Sequence, residues 1–102
     1  MTEIPRELAQ DSRQTLRLLE RVTLGDEAWA TVERCLDELE QALERGEADA
    51  VDAVIGELEL FGVHRVATRI DIGVVNPPPP TVREHLNRIV HDLDSRLGSD
   101  DD

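Results

Sequence analysis

The sequence has no lysine, no tyrosine, and only one cysteine, one tryptophan and one phenylalanine. A lone Cys35 excludes an internal disulfide framework and a cysteine metal cluster. With Trp29 and Phe61 as the only aromatics, the core has to be aliphatic, built from Leu, Val, Ile and Ala. Without lysine, eleven arginines carry all the fixed positive charge, a usage that fits the GC-rich genome of a high-GC bacterium. No run of about 18 apolar residues occurs, so no membrane-spanning helix is expected. The charged opening MTEIPRELAQ lacks the apolar stretch of a signal peptide, and the expected location is the cytoplasm. There is no HExxH, no glycine-rich phosphate loop and no serine in a nucleophile elbow.

What is present is acid. Aspartate and glutamate total 23 and the formal net charge is −12 in 102 residues. Such a surface repels phosphate backbones, so no nucleic-acid partner is expected. The length suits one domain with one core, taken here as 1–97 with a disordered acidic tail at 98–102.

Hydrophobic spacing predicts four helices. The first, over 4–22, starts at Pro5 and buries Leu8, Ser12, Thr15, Leu16, Leu19 and Val22. Ser12 and Thr15 weaken its first half, so it is expected to firm up only after Asp11. Thr23 with Asp26 resembles a capping box ahead of a second helix that runs to about Arg45, although Gly25 is unfavourable inside a helix and would shift the start to Asp26. There Trp29, Val32, Leu36, Leu39 and Leu43 recur at a/d spacing, and Gly46 closes the helix. A third helix near 49–60 is capped by Asp49 and buries Val51, Val54, Ile55, Leu58 and Phe61. Gly56 inside it is expected to let a neighbouring helix approach. Gly62 ends it, and β-favouring residues over 63–72 predict a short extended or strand-like segment. Asn76 and the four prolines at 77–80 form a rigid connector. The last helix, about 80–97, buries Val82, Leu86, Ile89, Val90, Leu93 and Leu97. The expected fold is therefore mainly all-α, a small four-helix bundle with a strand-like segment and a proline-rich connector before the last helix.

Charge is unevenly divided. Residues 26–59 are net −10, whereas 60–91 are net +2. The basic side chains Arg65, Arg69, Arg83 and Arg88 form the expected partner-binding surface, through bidentate contacts with carboxylates. The alternative use of Arg65 and Arg69 is to neutralise the acidic helices of their own domain. For the acidic face itself, the plain use is solubility and the sharper one is docking of a basic protein. A polyproline ligand role for 77–80 is less economical than a spacer.

Chemistry is sparse. His85 and His91 lie six apart on the last helix, about 600° of rotation, and so face different sides. No metal ligands, cofactor or catalytic residues are expected, and Cys35 reads as a buried structural thiol. A non-enzymatic protein is the expectation.

The order of features resembles one bacterial family. An acidic, Trp-containing helix (DEAWATVERCLDELEQALERGE) is followed by a helix ending ELELFG, the segment HRVATRI, a proline run and a helix of the form VREHLNRIVHDL. This is similar to the CATRA-associated small proteins, named for association with caspase-like peptidase and TPR components of conflict systems in bacteria such as actinobacteria. The resemblance implies a mainly helical accessory or adaptor subunit of a bacterial defence system. It also implies a protein partner, a CATRA-domain component encoded nearby, and assigns no residue roles. The alternatives are a self-contained regulatory or structural homodimer, or an acidic neutraliser of a basic protein.

Overall fold

The computed structural model describes the backbone of residues 4–67 and 76–98, with the side chains of 4–61 and 76–97. It contains four helices: α1 (Arg6–Leu19), α2 (Asp26–Arg45), α3 (Ala48–Ala67) and α4 (Pro80–Gly98). Among the described residues there is no strand, only one isolated antiparallel bridge between Leu24 and Asn76. The all-α expectation holds.

α1 forms from its first turn rather than after Asp11. Pro5 presets φ at −61°, and its carbonyl accepts the Ala9 N–H at 3.0 Å. Ser12 is fully buried, but its hydroxyl donates to the Leu8 carbonyl at 2.7 Å. A hydroxyl satisfied within its own helix can sit in the core without leaving an orphaned polar atom. The helix stops at Leu19, short of the expected residue 22, yet Val22 in the following loop is still buried.

α2 starts without the expected capping box. Gly25 takes the N-cap position in extended backbone with no side-chain cap, so Thr23 is not the cap. Asp26 and Glu27 in the first turn instead meet the positive end of the helix dipole. The C-terminus matches expectation. Gly46 is left-handed at φ 67°. Its N–H donates to Leu43 O at 3.1 Å, and the Glu47 N–H donates to Ala42 O at 3.0 Å. This pair of bonds is a Schellman motif.

α3 departs most from expectation. It begins at Ala48, so Asp49 lies in its first turn and is not a cap. It continues past Gly62 to Ala67, so 63–67 are helical rather than extended, and 68–72 lie outside the described residues. The reason is helix cooperativity. Extending an existing helix gains one hydrogen bond per residue fixed, while a lone strand has no ladder to satisfy its backbone. Gly56 also differs. It is exposed, and a Cβ there meets nothing within 4 Å, so no neighbouring helix uses the gap. Gly56→Ala is expected to stabilise the fold by roughly 0.5–1 kcal/mol, read as a higher urea midpoint at unchanged slope.

α2 and α3 pack side by side, joined by the tight Gly46 turn and therefore antiparallel. The other neighbouring pairs are α1 with α4, α1 with α3 and α2 with α4. Consecutive α1 and α2 are thus placed diagonally. α2 and α4 run in the same direction, since their starts meet at the Leu24–Asn76 bridge and Arg96 of α4 reaches Leu43 O near the end of α2. The core between the helices is aliphatic, with Leu16, Leu36, Leu39, Leu58, Leu86 and Leu93 fully buried.

The proline connector is fastened as well as stiff. Asn76 and Leu24 exchange both backbone N–H···O bonds at 2.9 Å. The Trp29 indole N–H donates to the same Asn76 carbonyl at 2.9 Å. Pro78 is buried, and the Pro79 carbonyl accepts the Arg83 N–H at 2.8 Å. Trp29 thus fills the core with its ring and ties the connector to the start of α2 with its polar edge.

Candidate functional site

The four arginines singled out by charge meet different fates. Arg65 lies on the last described turns of α3, and its side chain is outside the described set, as is all of Arg69. Arg83 is exposed on α4. Arg88 is exposed and paired to an acid of its own chain. Its Nε donates to Glu40 Oε2 at 3.0 Å and its Nη2 to Glu40 Oε1 at 3.3 Å, a bidentate fork that bridges α4 to α2. Arg83 and Arg88 are five residues apart, about 140° around the helix. They point to different flanks; both are exposed, Arg88 with its guanidinium engaged by Glu40.

Glu40 belongs to a polar seam on the α2–α4 boundary. His85 is only 6% exposed, and its Nε2 lies 3.0 Å from Glu40 Oε1 and 3.7 Å from Asp37 Oδ1. Further along, Arg96 donates to Asp92 one turn back and to Leu43 O on α2. Arg13 of α1 pairs with Asp94 at 2.8 Å across the other flank of α4. That contact is ionic, since the Nε–H is not aligned for a hydrogen bond.

The Arg88 guanidinium holds the Glu40 carboxyl below its ordinary value. Burial opposes the shift and His85 supports it. A carboxylate lowered in the folded state contributes stability that is complete above the unfolded carboxylate range and lost as pH falls through the folded value. In metal-free buffer, Glu40→Gln is therefore expected to be less stable than the parent at pH 7. The gap in urea midpoint should shrink as pH drops below about 4.

Cys35 is buried beside α3, with its Sγ 3.5 Å from Glu57 Oε1. Burial, with Glu57 adding to it, pushes the thiol up to about 11. The sulfur is protonated at neutral pH, the opposite of an activated nucleophile. It lines an open groove of about 430 Å³ between α2 and α3, with Arg34, Glu38, Glu57, Leu60 and Phe61. Leu60 there is 55% exposed.

Sequence reasoning singled out the arginines by charge and did not anticipate the seam. Asp37 and Glu40 are an i, i+3 pair, which share one helix face. That His85 of α4 sits against that face is a property of the packing, and no spacing within one helix carries it.

A family model spans nearly all of this bundle. That model, of the CATRA-associated small proteins, matches residues 11–97. The chain belongs to this family. The match takes in most of α1, all of α2, α3 and the connector, and nearly all of α4. A search of curated proteins and a search of solved structures each found no match. Among the described residues, no helix of this CATRA-associated small protein is long and apolar enough to cross a membrane.

Proposed function

We propose that this protein is a non-enzymatic accessory subunit that binds the CATRA component of a bacterial conflict system in the cytoplasm. The observation that carries the reading is the family match across all four helices. A match over nearly the whole small bundle, to a family named for its association, fits a module whose task is to present a surface. The proposed contact is the basic stretch of Arg65 and Arg69 with Arg83, against an acidic patch on the partner. Arg88 supports that surface by clamping α4 to α2 through Glu40.

A homodimer is the second reading, favoured by Leu60, which stands exposed next to half-buried Phe61 on α3. A tagged pull-down from the native host, followed by mass spectrometry, separates the two. The accessory reading predicts recovery of a large peptidase- or TPR-associated protein from the same system. Recovery of the chain alone, at dimer mass, overturns it.

A further inference from the structure

The α2–α4 seam brings His85 of α4 against an acid pair on α2 to which no spacing within one helix links it. We infer that Asp37, Glu40 and His85 form a site for one borderline divalent cation, Zn²⁺ foremost. The inference is independent of the partner reading.

The argument starts from the atoms. His85 Nε2, one oxygen of Asp37 and one of Glu40 all lie within 4.8 Å of one another. Zn²⁺ binds imidazole nitrogen and carboxylate oxygen at about 2.0–2.2 Å, which sets tetrahedral ligand atoms roughly 3.3–3.6 Å apart. The separations from Nε2, 3.0 Å to Glu40 and 3.7 Å to Asp37, bracket that spacing. Small rotamer adjustments therefore suffice to close the three around an ion.

The trio differs from the many carboxylates on this surface because one member is fixed. His85 is buried in the helix packing and directs Nε2 outward at the acid pair. A ring held in one orientation before the ion arrives is what separates a site from a diffuse acidic surface. The donor set of one imidazole and two carboxylates suits zinc better than Ca²⁺ or Mg²⁺, which favour all-oxygen shells.

Arg88 has to be accounted for, since it already holds Glu40. Its shorter bond is Nε to Oε2 at 3.0 Å, and the longer is Nη2 to Oε1 at 3.3 Å. An ion on Oε1 replaces only the longer contact. Oε2 stays on the guanidinium, which then orients the ligating carboxylate as an outer hydrogen-bond donor commonly does. The positive charge of Arg88 opposes the ion, and the net −10 of residues 26–59 offsets it. The site opens to solvent on the side of Asp37. Asp37 is largely exposed, so the remaining coordination position faces outward, to water or to a partner's side chain. The chemistry is that of a metal staple between α2 and α4, with one position free.

The test uses the full chain, stripped with chelator and dialysed. Zn²⁺ is titrated by calorimetry and Co²⁺ by visible absorption, each also with His85→Gln and Asp37→Asn. The expected result is saturable binding of one ion per chain, tetrahedral Co²⁺ bands, and a loss of at least about tenfold in affinity in each variant. No saturable one-to-one binding overturns the inference. So does binding that both variants leave unchanged, which would mark an ion spread over the acidic surface. Should His85→Gln fail to fold, exposed Asp37→Asn decides alone, with circular dichroism confirming its helices.

Discussion

Replacing Trp29 with alanine is expected to destabilise the bundle by about 3–5 kcal/mol. A domain of this size has roughly 5–15 kcal/mol in total, so the variant should lose a large fraction of its stability and unfold at a much lower urea concentration. Two contributions are lost together. The ring is 2% exposed and packs in the aliphatic core, and the indole N–H holds the Asn76 carbonyl of the connector. Trp29→Phe separates them. It keeps most of the burial and removes only the hydrogen bond. The Asn76 carbonyl still accepts from the Leu24 N–H, so the loss from the bond itself is about 1 kcal/mol. Urea unfolding followed by circular dichroism measures both variants. Equal losses would show that the tie to the connector, rather than the ring's burial, is what Trp29 supplies.

Charge reversal at Arg65 and Arg69 together is expected to abolish capture of the CATRA component while the helical spectrum is retained. Each lost charge-assisted hydrogen bond costs roughly 1.5–3 kcal/mol, and each introduced glutamate adds repulsion against an acidic patch. The pair therefore amounts to about a hundredfold or more in Kd. Arg83→Glu is the cleaner single reversal, because that side chain is exposed. Arg88→Glu is not clean. It would also set a second carboxylate against Glu40 and loosen the α2–α4 seam, so its binding defect would come mixed with lost stability. Intact binding of the double variant, measured by calorimetry, would remove the arginine surface from the account.

Much of this fold was legible in the sequence, for physical reasons that differ between elements. The stripe of Trp29, Val32, Leu36, Leu39 and Leu43 has one buried face and a glycine at the position that needs positive φ, so α2 is readable to its last residue. Val82, Leu86, Ile89 and Leu93 mark α4 equally well, and a proline starts it. The errors fall where local preference and tertiary context compete. β-favouring side chains after Gly62 suggested an extended segment, yet the helix continues to Ala67. Thr23 looked like a cap, but α2 starts after Gly25 without one.

The polar contacts were less legible than the helices. Charge contrast along the chain pointed to the arginines, because net charge is additive and needs no coordinates. The pairings of Arg88 and His85 with Glu40 depend on how α4 crosses α2. The Trp29 bond ends on a backbone carbonyl, which has no signature in the side-chain alphabet. Nothing short of the packed bundle shows these three contacts.

The most direct test of the accessory-subunit claim is light scattering after size exclusion, on the purified chain alone and mixed with the CATRA component of the same system. The account predicts a complex of fixed mass containing both proteins, weakening as salt rises because arginine contacts are screened. Separate elution of the two, with this chain running as a salt-insensitive dimer, would contradict it.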